Sequence, residues 1–145
     1  RVREVVMTVE AVWGEGGRAV GVGELIETAC GLALHSTRLV GGVERPTLRS
    51  DLSVVVRRSV AVAALGLLLS RSAEANANAV SEVTPLRIEH AVDDETVYLW
   101  IRGKNLADER VAEICTEVDM LLLGDPCMRV RSEGKELVLE IRRRT

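Results

Sequence analysis

Phenylalanine is absent from this chain, which carries one tyrosine and two tryptophans, so its core must be built from valine, leucine, isoleucine and alanine. Cysteine is scarce: Cys30, Cys115 and Cys127 are odd in number and far apart, with no CxxC spacing and no histidine in register. That pattern supports neither a disulfide framework nor a zinc site, and no metal is expected. Cys30 and Cys115 fall on apolar helix faces, where a free thiol behaves as a small buried hydrophobe. Neither sign of charge dominates: the formal net charge of −3 and a pI near 5.5 offer no general basis for nucleic-acid binding. The terminal Arg142, Arg143 and Arg144 read as a solvated tail. No apolar run is long enough to span a bilayer. The longest, Val60 to Leu69, supplies ten residues of the roughly 20 required and is flanked by Arg57, Arg58 and Arg71. With no signal peptide, a reduced, cytoplasmic protein is the simplest expectation. A chain that opens on Arg1 reads as a piece of something longer.

What is present is 145 residues with 47% apolar content, enough for the core of one domain. The stretch at its centre is Asp51 to Ala75, predicted as one long helix with Asp51 as its N-cap. Leu52, Val55, Val56, Ser59, Val60, Ala63 and Leu67 recur at helical spacing. Its second half is apolar on every side, which predicts a helix covered on every face.

Ahead of it, Val2, Val5, Val6, Val9, Val12 and Trp13 form a helical seam over residues 1–14. About a dozen residues make a marginal helix alone, so the seam needs a partner: its own domain, or a second chain across a helical hairpin. Residues 15–23 are glycine-rich and predict a flexible linker. The domain proper is expected over residues 24–145. Glu24 to Thr37 places Leu25, Ile26, Ala29, Cys30, Ala33 and Leu34 on one helical face. Leu39 to Val43 and Thr47 to Leu48 are short strand candidates broken by Gly41, Gly42 and Pro46. Asn76 to Glu82 reads as a loop. Leu86 to Val92 and Val97 to Ile101 alternate across the charged turn Asp93, Asp94, Glu95, the pattern of an antiparallel hairpin. A helix follows, with Asp108 as its cap and Val111, Ile114, Cys115, Val118, Leu121 and Leu122 on one face. A second hairpin, Met128 to Ile141, turns at Glu133, Gly134 and Lys135. This order predicts an α+β, two-layer sandwich with about three helices on one face of a mixed, mainly antiparallel sheet.

Element order and apolar pattern carry a resemblance over nearly the whole chain. RVREVVMTVEAV is similar to the exit helix of the dimerisation hairpin in bacterial sensor histidine kinases. VGELIETACGLALH resembles the first helix of their GHKL-type ATPase domain. ALGLLLSRSAEA stands where that family has its N-box, and PLRIEHAVDDETVYLWIRGKN where it has the strand pair ending in DxGxG. ERVAEIC and MRVRSEGKELVLEI resemble the last helix and hairpin. The resemblance implies a histidine-kinase-like fold with its polar motifs degenerate. The two N-box asparagines, which hold a bridging Mg²⁺ in the family, fall on Gly66 and Ser70. Glycine offers no ligand and serine is a poor, short substitute for a hard oxygen donor. The aspartate that accepts from the adenine amino group falls on Ile101, which cannot accept. Gly103 matches the first glycine of that motif, and Asn105 replaces the second. No glycine occurs from Lys104 through Leu123, so the flexible lid and its phosphate-facing glycine-rich loop are deleted.

Other polar residues give no catalytic constellation. His90 lies in register with the apolar positions of a strand. His35 ends a helix and is not where the resemblance places a phospho-accepting histidine, which would lie outside this chain. Arg102 and Lys104 are two loop cations, and Asp93, Asp94 and Glu95 form a turn without a second polar cluster to close a pocket. On the strand from Val97 to Ile101, Tyr98, Trp100 and Arg102 are expected to face away from the helices, with Val138 beside them. Those residue types are enriched at binding hot spots, so this is a candidate interface, as is the N-terminal seam. The expected function is that of a catalytically inactive histidine-kinase-like module, without cofactor, that binds a protein partner in bacterial signal transduction. A response regulator, a sensor kinase or a second copy forming a homodimer is what the resemblance implies. The alternatives are a divergent ATP-binding domain that still takes nucleotide, in which a register one helical turn away would place Ser70 or Asn76 near the metal without restoring the lid, a phosphotransfer protein, and a purely structural domain assembled by its first helix.

Overall fold

The computed structural model describes residues 19–78, 84–104 and 106–143, with the side chain of Asn78 excepted. The N-terminal seam of Val2, Val5, Val9, Val12 and Trp13 therefore lies outside the described residues, as does Asn105. A two-residue-periodic run, Leu52 to Val56, sits where the start of the long helix was expected. Leu52, Val54 and Val56 are buried while Ser53 and Val55 are half-buried, which is the burial of a strand. Strand β3 (Ser53–Val55) pairs antiparallel with β1 (Ala19–Gly21), Val20 opposite Val54. Three consecutive valines fit both periods on paper, and β-branching with a pairing partner at hand decides for the strand. Asp51 consequently caps nothing. It stands in an exposed turn, bound by Arg49 at 2.9 Å. The last residues of the expected linker, from Ala19, are likewise structured.

Helix α1 (Val22–Leu32) starts directly after β1, with the Val22 N–H donated to Leu52 O at 3.0 Å. It breaks at Ala33 before a one-turn α2 (Leu34–Thr37), so the predicted single helix to Thr37 is two pieces. A 3₁₀ turn over Arg38–Val40 follows, and Gly41 and Gly42 then take φ of 89° and 99°. Those left-handed glycines end the helical run and turn the chain into β2 (Val43–Glu44). The strand candidate Leu39 to Val43 is thus helical at its start, and Thr47 and Leu48 are in no strand.

The central helix is α3 (Arg58–Asn78), which runs into the stretch expected to be a loop. Leu65, Leu68, Leu69 and Ala73 are buried, whereas Val60, Ala63, Leu67, Ser70, Glu74 and Ala77 form a half-buried outer stripe. It is covered on most of its circumference but not on every face. Strands β4 (Leu86–Val92) and β5 (Thr96–Arg102) make the expected first hairpin. At its turn Asp93 Oδ1 accepts from the N–H groups of Glu95 at 2.9 Å and Thr96 at 2.7 Å. Helix α4 (Asp108–Leu122) has Asp108 in its first turn, where its charge suits the helix dipole, and not at the cap, which is Ala107. Strands β6 (Met128–Glu133) and β7 (Glu136–Arg142) close the second hairpin through Gly134 at φ 62°.

The main sheet has the order β2-β4-β5-β7-β6, antiparallel except for β2 beside β4, and the helices cover one face. One apolar cluster joins Leu25 and Ile26 of α1, Leu65 to Leu69 of α3, Val111 to Val118 of α4 and the inward side chains Ile88, Leu99, Ile101 and Leu139. This is the α+β two-layer sandwich that the element order predicts. Among the described residues no helix is long and apolar enough to cross a membrane.

A part-buried ion pair ties the two ends of the helical layer. Arg57, just before α3, reaches Asp125 after α4 at 3.0 Å, and the Asp125 side chain is only 4% exposed. Asp125 Oδ1 also accepts the Cys127 N–H at 2.7 Å. Arg57→Met should leave that carboxylate short of a partner and cost about 1–3 kcal/mol, read as a lower urea midpoint with unchanged slope.

Candidate functional site

The positions matched to the polar motifs lie on α3 and at the end of β5. Gly66 packs toward α1: a Cβ built there would lie 3.6 Å from Leu32 Cβ and 3.8 Å from Ala29 O. At 1.5 Å rise per residue, Gly66 is about 15 Å along the axis from Asn76. Asn76 is the residue that meets Gly103. A Cβ on Gly103 would sit 3.4 Å from Asn76 Cγ and Oδ1 and 3.1 Å from Leu86 Cδ2, so the glycine is what permits the close approach. Asn76 is buried and donates from Nδ2 to Thr84 O at 3.3 Å. Ser70 stays on the half-buried outer stripe, while Ser72, one turn before Asn76, is fully buried. Asn76 lies about 1.7 helical turns beyond Ser70.

Ile101 is fully buried, opposite Ile88 on one side and Leu137 on the other. Its side chain belongs to the core and presents no hydrogen-bond acceptor. From the end of β5 to the start of α4 there are five residues, and within them Leu106 is 2% exposed. A cavity of about 380 Å³ lies beside this connection, lined by Glu44, Thr84, Pro85, Arg87, Arg102, Gly103 and Lys104. Its arginines are already engaged. Arg87 binds Glu44 at 3.0 Å, and Arg102 binds Glu89 and lies in ion-pair range of Glu136 at 3.1 Å, without hydrogen-bond geometry at Nε.

The outer sheet face is as expected in direction. Tyr98, Trp100 and Arg102 are half-buried on the side away from the helices. The two rings stack with centroids 5.8 Å apart, and the Arg102 guanidinium lies 5.9 Å from the Trp100 centroid. Val138, opposite Trp100 and Arg131 in the sheet, is fully buried beneath them. Around the rings runs a lattice of pairs, including Arg131 with Glu140 at 2.8 Å and Arg129 with Glu140 at 3.2 Å. Mutually compensated charge around an aromatic centre leaves little net field over this face. His90 is half-buried on β4 and His35 is exposed on α2; among the described residues no cluster of potential ligands could hold a metal.

No family model matches the sequence, and no curated protein does. Solved structures do match. Histidine kinase ThkA in complex with the response regulator TrrA aligns with a TM-score of 0.62 at 17% identity, over 87% of this chain and 41% of that one. The chain has the fold of a histidine kinase catalytic domain. The isolated catalytic domain of ThkA aligns at 0.53 and 16% identity, over 88% of this chain and 95% of that one. Acinetobacter baumannii histidine kinase AdeS aligns at 0.55 and 13%, over 98% and 77%. Identities this low show the fold and not the chemistry. The histidine-kinase-like domain spans less than half the length of the ThkA chain in the complex.

One titration reports on the outer face. Tyr98 Oη donates to Asp93 Oδ2 at 3.0 Å, and that carboxylate raises the phenol pKa. The N–H groups of Glu95 and Thr96, with the Tyr98 hydroxyl, hold the Asp93 carboxyl below its usual value. A raised phenol pKa means that the contribution of this bond is present below about pH 10 and lost as pH rises through the folded value. Because the chain has a single tyrosine, its ultraviolet titration is unambiguous. Asp93→Asn should bring the midpoint back toward about 10.

Proposed function

We propose that this histidine-kinase-like domain is a catalytically inactive, protein-binding module of bacterial signalling. The observation that carries the reading is the pairing of a fully buried Ile101 with a five-residue connection into α4. An acceptor for adenine and a mobile lid are both missing from the same short stretch, and an amide donor placed against Ile101 would be buried unpaired at roughly 1–3 kcal/mol. What remains is a rigid two-layer platform whose exposed outer face has the residue types of a binding surface. The partner classes are a response regulator, a sensor kinase or a second copy of the chain. In support, ThkA, whose catalytic domain shares this fold, is in complex with a response regulator. The N-terminal seam of residues 1–14 would join such a module to a second chain.

One observation favours a divergent ATP-binding domain instead. Asn76 is a buried amide at the end of α3 in contact with Gly103, the side-chain type that a phosphate-bound Mg²⁺ would use. Calorimetric titration with ADP, and with ATP plus Mg²⁺, separates the two. The expected outcome is no heat with either nucleotide. Micromolar binding that disappears in Asn76→Ala would replace the inactive-module reading with the second one. Independently of nucleotide, Asn76→Ala should cost about 1–3 kcal/mol, since Thr84 O loses the donor from Asn76 Nδ2.

A further inference from the structure

The outer stripe of α3 is the floor of an apolar strip that crosses the helical layer. Val60, Ala63 and Leu67 are half-buried along it. On one flank Leu32, at the end of α1, is 66% exposed beside Gly66, where a Cβ built on the glycine would lie 3.6 Å from the leucine Cβ. On the other flank α4 runs antiparallel to α3, as the pairs Arg71 with Glu117 and Arg57 with Asp125 require. Leu121, one turn after Glu117 and on the same side of α4, is therefore level with the middle of the stripe, and it is 39% exposed.

The chain itself carries a segment of the right length to cover this strip. Ala19 stands opposite Val55 in the pair of β1 with β3, and α3 begins three residues after Val55, at Arg58. What precedes Ala19 therefore arrives at the start of the stripe. Five residue steps separate Gly14 from Ala19, an extended reach of about 17 Å. As a helix, Val2 to Trp13 would span about 16 Å, and the stripe from Val60 to Ser70 spans about 15 Å. A helix this short needs an apolar partner. Entry at the N-terminal end of α3 also fixes the direction, with Trp13 toward Val60 and Val2 toward Ser70. Charge has the matching sign at the far end. Arg1, Arg3 and Glu4 sum to one positive charge, against one negative from Glu74, Glu117 and the Arg71 with which both pair.

We propose that residues 1–14 dock on their own domain as a helix antiparallel to α3, the seam of Val5, Val9 and Val12 covering Leu32, Ala63, Leu67 and Leu121. A seam held in this way is withdrawn from a second chain, so docking keeps the module unpaired and release permits pairing. This is a regulatory contact beyond the module reading, and it holds whether or not nucleotide binds.

The test uses the full chain carrying Trp100→Phe, a change on the opposite face of the molecule that leaves Trp13 as the one tryptophan. Emission wavelength and acrylamide quenching then follow Trp13, and sedimentation equilibrium follows the mass over the same concentration series. The expected result is blue-shifted, weakly quenched emission from a 15.8 kDa monomer, independent of concentration. Leu32→Glu alters a side chain already largely in water and leaves the core untouched. At the lowest concentration it should shift Trp13 emission to the red and raise quenching several-fold, with a cooperative melt retained. Ala63→Glu should do the same from the floor of the strip. Red-shifted, freely quenched Trp13 in the parent at every concentration would overturn the proposal. So would burial of Trp13 that grows only as the mass rises to the dimer, which would give the seam to a second chain. Folded variants that keep Trp13 as protected as the parent does would overturn it as well. Nucleotide titration bears on none of these outcomes.

Discussion

Covering α3 is the constraint from which the rest of the architecture follows. A helix with leucine, valine and alanine around most of its circumference needs more than one neighbour, and a single sheet can bury only one side of it. The inward side chains of β4, β5 and β7 take one side, and α1 and α4 flank it. Only the stripe through Ala63, Leu67 and Ser70 is left partly open. With no phenylalanine to fill space, the packing relies on many small aliphatic contacts, individually weak and collectively large. The Arg57–Asp125 pair then fixes how the two ends of the helical layer meet.

That same demand for burial shapes the end of β5. Ile101 and Leu106 contribute to the core, and the tight contact of Gly103 with Asn76 and Leu86 draws the strand end onto the helix. Five residues connect this strand end to α4, and Leu106 among them is buried. The polar character of the chain is displaced to the opposite face, where arginine and glutamate pairs surround Tyr98 and Trp100. Exposed pairs of this kind each contribute about 0–1 kcal/mol, so their effect is on which surfaces fit this one more than on whether it folds.

The candidate site was only partly legible. Ile101 and Gly103 could be located because a strand alternates strictly, and each inward or outward position follows from its neighbours. Helical positions were harder. Along an apolar helix, a shift of several residues leaves the pattern of leucine and alanine almost unchanged, so Gly66 and Ser70 suit one register and Asn76 another. Only the folded structure shows that Asn76 meets Gly103, a residue far away in sequence.

Sequence alone determined both hairpins, the inward face of α4 apart from the exposed Leu121, the outward direction of Tyr98, Trp100 and Arg102, and the two-layer class. In each case the deciding information is local: a period of two or of about 3.6, and a turn that few residue types can make. Tertiary structure decided the rest. The valines of β3 suit a strand or a helix and became a strand because β1 lies alongside them. The break at Ala33, the length of α3 and the placement of Asn76 likewise depend on neighbours brought from distant parts of the chain. Local pattern says which side of an element is apolar, and the pairing of elements, which costs chain entropy and is repaid only by the assembled core, says what that side meets.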